Sequence, residues 1–163
     1  MLKERFERIV EAAVEACREV YRERLVALAL FGSVARGTMR FDSDIDTLIV
    51  ADPLPTGRLA RVAEFEAIEQ RLAPDLAAAH AQGVRAEFSP VFKTPDEVRH
   101  GSPLFLDMTL EARILFDRDG FFARYLDGLR ERMRALGSER RRFGGGYYWL
   151  LKPDYKPGDR IEL

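Results

Sequence analysis

Apolar side chains recur at helical spacing along residues 3–24: Phe6, Ile9, Val10, Ala13, Val14, Cys17, Val20 and Tyr21, with charges on the opposite face. A period near 3.6 predicts an amphipathic first helix. The pattern then changes. Leu25 to Phe31 is a short, continuous apolar run that ends at Gly32, which predicts a strand covered on both faces. Gly-Ser-Val-Ala-Arg-Gly at 32–37 predicts a turn into a brief helix, and Ile45 to Val50 a second buried strand. Residues 52–57 hold two prolines and a glycine and predict a loop.

Helical spacing returns over residues 58–82 but meets Pro74, so two helices are expected, or one broken just before the proline, closed by Gly83. Val84 to Phe92 alternates around Glu87 and predicts a third strand stopped near Pro95, with Pro90 demoting its end to an edge or a bulge. Pro103 to Arg113 predicts a helix with Ser102 as its N-cap. Residues 114–116 predict a short strand, 117–120 a turn, and Phe121 to Leu136 a last helix with Gly137 just beyond it.

This order predicts an α/β (α+β) fold, a small mixed β-sheet packed by helices. With 163 residues, one domain is expected. Residues 1–137 form it. Residues 138–163 form a basic and aromatic tail, Arg140-Arg141-Arg142, three glycines, then Tyr147-Tyr148-Trp149. The tail's later turn chemistry predicts an ordered segment packed on the domain or on a second copy of the chain, which makes a homodimer one expectation. An RNA-binding role for Arg140 to Trp149 is a competing reading.

Composition narrows the class. At 47% hydrophobic and 33% charged, the chain is a folded one rather than a disordered one. No apolar run approaches the ~20 residues of a membrane span. The charged start lacks the apolar centre of a secretory signal, so a cytoplasmic protein without membrane contact is expected. Net charge is -1, which removes a global basic footprint for nucleic acid. Cys17 is alone, so it has no partner for a disulfide within the chain or for a zinc cluster.

The chemistry is concentrated in residues 31–50, FGSVARGTMRFDSDIDTLIV. Side chains two apart on a strand share a face, so Asp44 and Asp46 project together while Ile45 enters the core. Two such carboxylates repel, and a divalent cation removes that cost. Hard oxygen donors suit Mg²⁺, with Mn²⁺ as the alternative. Gly32-Ser33 follows a buried strand and opens a helix. Glycine allows close backbone approach, Ser33 offers a hydroxyl, and the free N–H groups of a helix start attract an anion. Arg36, one turn on, adds a charge-assisted contact. Phosphate cradle and carboxylate pair together describe a metal–triphosphate site, and the reaction class is two-metal displacement at phosphorus.

The pattern G-S-x-A-R-G followed by S-D-I-D resembles the nucleotidyltransferase superfamily related to DNA polymerase beta, in its small stand-alone, minimal form. The resemblance covers residues ~25–92, on strand lengths taken from base rates. It implies a third metal-holding acid on a later strand, and Glu87 in Ala86-Glu87-Phe88 fits that slot. The resemblance thus implies catalytic and metal roles for Asp44, Asp46 and Glu87, and nucleotide binding at Gly32, Ser33 and Arg36. It further implies transfer of a nucleoside monophosphate from a triphosphate, ATP foremost, to an acceptor hydroxyl. Relatives of this size pair with a small helical HEPN protein in toxin–antitoxin modules, which makes such a protein the implied partner. An alternative is a regulatory module that binds nucleotide without turnover.

Overall fold

The computed structural model describes residues 1–163 throughout. Helix α1 (Leu2–Tyr21) leads through a short 3-10 turn into β1 (Leu25–Phe31), then α2 (Gly32–Arg36) and β2 (Ile45–Ala51). Helix α3 (Arg58–Ala81) crosses over to β3 (Phe88–Lys93), followed by α4 (Pro95–His100), α5 (Leu104–Glu111), β4 (Arg113–Asp117) and α6 (Phe121–Leu136). A separate hairpin, β5 (Glu139–Phe143) and β6 (Gly146–Leu150), follows.

The main sheet runs β3-β2-β1-β4. Strand β1 is antiparallel to both β2 and β4, and β2 is parallel to β3, so the sheet is mixed as expected. Strand alternation sends Leu28, Ile49 and Ala51 to α1 and α3, where they join Cys17, Tyr21, Phe65, Ile68 and Leu72. The opposite residues Ala27, Ala29, Leu48 and Val50 meet Phe105, Met108, Phe122 and Leu126 of α5 and α6. Both faces of β1 and β2 are therefore covered, which is why these runs are apolar without alternation. Cys17 is buried in this packing, and burial pushes its thiol up to about 12.

Four expectations need correction. Helix α3 is one continuous helix through Pro74, neither two helices nor a broken one. Pro74 lies on its exposed face, and burial of Leu72 and Ala79 outweighs the lost hydrogen bond. Strand β3 begins at Phe88, not Val84; residues 84–87 instead bond outward, Arg85 N–H to the Phe41 carbonyl at 2.7 Å and Ile45 N–H to the Glu87 carbonyl at 2.8 Å. Helix α4 was not foreseen, although Thr94-Pro95-Asp96-Glu97 is a capping box with proline in the first turn. Thr94 Oγ1 accepts from Glu97 N–H at 3.2 Å, and Glu97 Oε2 from Thr94 N–H at 2.8 Å. The basic and aromatic part of the tail forms a hairpin over residues 139–150, where no strand was expected.

Long-range ion pairs fix helix positions at the margins. Arg61 of α3 grips Glu97 of α4 through two bonds of 2.8 and 2.9 Å, and Arg113 of β4 grips Glu7 of α1 at 2.6 and 2.5 Å. Bidentate geometry makes these worth more than an ordinary surface pair. Pro90 sits in β3, an edge strand, where a missing N–H is tolerated.

Candidate active site

The site begins where β1 ends. In the antiparallel register Phe31 lies opposite Asp46, so Gly32, the next residue, passes directly beside that carboxylate. Its φ of +71° lies in the region that favours glycine. A Cβ there would collide with Asp46 Oδ2 and stand 3.2 Å from Cγ. Gly32 is thus required twice, by backbone conformation and by the space Asp46 occupies.

Asp46 is the second residue of β2 and Asp44 lies just before the strand, with Ile45 fully buried between them. The two aspartates face the α5 side of the sheet, the side to which Leu48 and Val50 also point. Asp46 is half-buried, and its carboxyl titrates above the usual aspartate range. Desolvation is the first cause and the neighbouring Asp44 charge the second; Arg36 and a hydrogen bond with Ser89 pull the other way. An acid strained in this manner, open on one side, is the electrostatic condition that a bound cation relieves. Two adjacent hard carboxylates form a donor set that fits Mg²⁺ or Mn²⁺.

Ser33 opens α2, whose first N–H groups lack partners within the helix, and the helix ends at Gly37 in the left-handed region. Arg36 points to Glu111, the last residue of α5, at 3.1 Å. Glu111 is also 3.8 Å from Arg140 of β5, and Arg140 is 3.8 Å from Asp107. A carboxylate at a helix C-terminus opposes the helix dipole, and these two guanidiniums offset that.

Glu87 lies exposed one residue before β3, at the same end of the sheet as Asp44. Asp44 and Asp46 interact, but three acidic, histidine or cysteine side chains do not converge with metal-holding geometry. The structure brings together Gly32, Asp44, Asp46 and Arg36 closely, and Glu87 only at the rim. Ser89 and Glu111 were missed. Ser89 sits opposite Asp46 in the parallel register, a pairing that only the strand alignment reveals. Glu111 belongs to a helix distant in sequence, with no local signal.

The enclosed space lies elsewhere. A cavity of about 10 Å³ behind β2 is lined by Thr47, Cys17, Leu28 and Phe65 among others, and the Thr47 hydroxyl is buried without a partner. A larger cleft of about 420 Å³, bordered by Arg58, Arg61 and Lys93, opens at the far end of β3. The aspartates instead stand on an open rim with Asp44, Glu87 and Ser89 exposed.

A mixed sheet with Asp44 and Asp46 at the start of β2, set against a Gly-Ser turn at the tip of β1, is the arrangement of a nucleotidyltransferase domain. The chain belongs to the family described as nucleotidyltransferase domain, whose model matches residues 10–114. It is 26% identical over 130 residues, 78% of this chain and 83% of the relative, to "Putative protein adenylyltransferase MJ1305" of Methanocaldococcus jannaschii. A second protein of that organism, MJ0604, bears the same description and is 46% identical over 46 residues, 28% of this chain and 46% of that protein. Among solved structures, a chain of a toxin–antitoxin complex crystallised with AMP-PNP aligns at a TM-score of 0.47 with 20% identity, covering 78% of this chain and 91% of that one. No helix is long and apolar enough to cross a membrane.

Proposed function

We propose that this nucleotidyltransferase moves AMP from ATP to a hydroxyl on a protein acceptor, with Mg²⁺ held by Asp44 and Asp46. The observation that carries the reading is the corner where Gly32 makes room for the Asp46 carboxylate while Asp44 crowds it. Support for an adenylyl donor and a protein acceptor comes from the description borne by the two archaeal relatives. The open rim supports a macromolecular acceptor, because a deep pocket of the kind that encloses small ligands is not what surrounds the aspartates.

The bound metal would neutralise charge on the phosphates and on the leaving group. The chain's own residues supply position. Ser33 and the N–H groups behind it bind the terminal phosphates, and Arg36 turns from Glu111 toward them. Gly32 leaves room for the Asp46 carboxylate and Ser89 lies opposite it in the register, which places that acid before the donor arrives. The acceptor oxygen attacks the α-phosphorus. Its bond to phosphorus forms as the bond to the bridging oxygen breaks, pyrophosphate leaves with the electron pair, and Glu87 at the rim takes the hydroxyl proton. The resemblance to minimal nucleotidyltransferases adds a small helical HEPN-type protein as the acceptor and partner, in a toxin–antitoxin pairing.

The experiment is transfer of label from α-³²P-ATP to candidate partner proteins with and without Mg²⁺, beside nucleotide-binding calorimetry. Magnesium-dependent binding and labelled protein are expected. Binding that ignores magnesium, or is unchanged in Asp46→Ala, defeats the reading.

A further inference from the structure

The tyrosines of this chain divide sharply. Tyr21 is fully buried, and Tyr125 is half-buried against Phe105 and Phe122. The other three, Tyr147, Tyr148 and Tyr155, are all exposed and all follow residue 145. The exposed phenols therefore all lie in the C-terminal segment.

That segment is tied to the active-site rim. Trp149 donates from Nε1 to Asp107 of α5 at 2.8 Å. Its cross-strand partner Arg140 reaches both Asp107 and Glu111, and Glu111 holds Arg36 of the phosphate-binding turn. Residues opposed across an antiparallel pair share a face. Arg140, Trp149, Arg142 and Tyr147 therefore line the face turned to α5, while Tyr148 lies on the other face with Arg141 and Phe143. The Tyr147 ring has the Arg140 guanidinium 4.4 Å and the Arg142 guanidinium 6.0 Å from its centroid, and the residue is 56% exposed. Cations so placed favour the approach of a triphosphate and the anionic phosphodiester that transfer would leave on the ring.

We infer that Tyr147 is an acceptor of the enzyme itself, a self-nucleotidylation site on the hairpin beside the catalytic rim. This rests on the nucleotidyl-transfer reading above. The Tyr147 oxygen attacks the α-phosphorus of ATP, a tyrosyl–AMP phosphodiester forms, pyrophosphate departs with the electron pair, and the phenolic proton passes to a rim carboxylate.

The test is incubation of the purified full-length protein with ATP and Mg²⁺, followed by intact mass and peptide sequencing by mass spectrometry. The expected result is one added adenylate on Tyr147. It is lost at least about tenfold in Tyr147→Phe and in Asp46→Asn, and retained in Tyr148→Phe and Tyr155→Phe. A rate per molecule unchanged on dilution assigns the step to one chain, and a rate that falls assigns it to a second copy; both support the inference. An unmodified protein that still binds Mg²⁺–ATP overturns this inference alone, as does adenylate found only on Tyr148 or Tyr155. A protein that neither binds nor labels overturns the catalytic reading with it.

Discussion

Two neighbouring regions of this protein handle like charges in opposite ways. At the β1–α2–β2 corner, Asp44 and Asp46 stand side by side with little compensation, and Asp46 is desolvated and held against Gly32. At the hairpin, three consecutive arginines are each provided for: Arg140 by Asp107, Glu111 and the Tyr147 ring, Arg141 by Glu139, and Arg142 by Tyr147. On the proposed reading, the first region keeps its electrostatic tension for a ligand, whereas the second pairs its charges within the fold. A site that binds cations must remain unsatisfied in their absence, at some expense in stability, whereas a structural surface need not.

The largest test of this contrast is Asp46→Asn. The change removes a crowded charge yet keeps the shape, so Mg²⁺-dependent nucleotide affinity falls by about 100-fold or more while the fold gains, by less than about 1 kcal/mol given solvent screening. Calorimetric binding and a thermal melt read the two opposite signs. Loss of both would mean that Asp46 is structural.

Gly32→Ala comes next. The new methyl group would strike Asp46 from a backbone conformation that disfavours it. A loss of about 2 kcal/mol in unfolding free energy is expected from strain and displacement together, with weakened nucleotide binding. Urea unfolding of the variant measures it.

Trp149→Phe probes the other region. It removes one hydrogen bond to Asp107, worth about 1 kcal/mol. Amide exchange should quicken across residues 139–150 while the main sheet keeps its protection, and magnesium-dependent nucleotide affinity should move less than about threefold. Exchange that accelerates everywhere would show that the hairpin belongs to the cooperative core.

The smallest effect is pH dependence. Glu7 and Glu97 titrate below the usual glutamate range, held first by their hydrogen bonds to Arg113 and Arg61. Their stabilisation is complete above the ordinary glutamate value and is lost as pH falls through the lowered folded-state value. Asp46, raised, has the reverse sign: its share is full below the ordinary aspartate value and disappears as pH rises through the folded one. In acid titrations of stability Glu97→Gln should flatten the fall, and Asp46→Asn should steepen it, each by a few tenths of a kcal/mol.

What could be read from the chain, and what could not, follows from distance along it. Strand β1 and helix α6 match their expected limits, and β2 runs one residue past its expected end, because an apolar run or an amphipathic period is a local property. Gly32, Ser33, Asp44 and Asp46 stand out as candidates for the same reason, all lying within a strand–turn–strand segment. Helix α4 was legible too, in its capping box, but went unread. Pro74 misled because propensity yields to packing when the ring faces solvent. Glu87 was expected inside a strand that starts one residue later, since alternation alone does not fix where ladder bonding begins. Ser89 and Glu111 were invisible: each owes its place to strand register or helix docking across long separations. The hairpin was hidden by its content, as arginines facing tyrosines lack the apolar alternation that marks a strand.

The β1–β2 pairing closes over a short stretch of chain, whereas β3 reaches β2 only after the long α3 crossover. Loop-closure entropy favours the near pairing, so the aspartates and the glycine turn can meet early in folding, before the carboxyl-terminal half contributes. Glu87, Ser89 and the Glu111–Arg36 link are late arrivals. On the proposed reading, a chain stalled at that stage would own the acidic corner without the residues that orient a donor against an acceptor, and competence for transfer would be the last property the protein acquires.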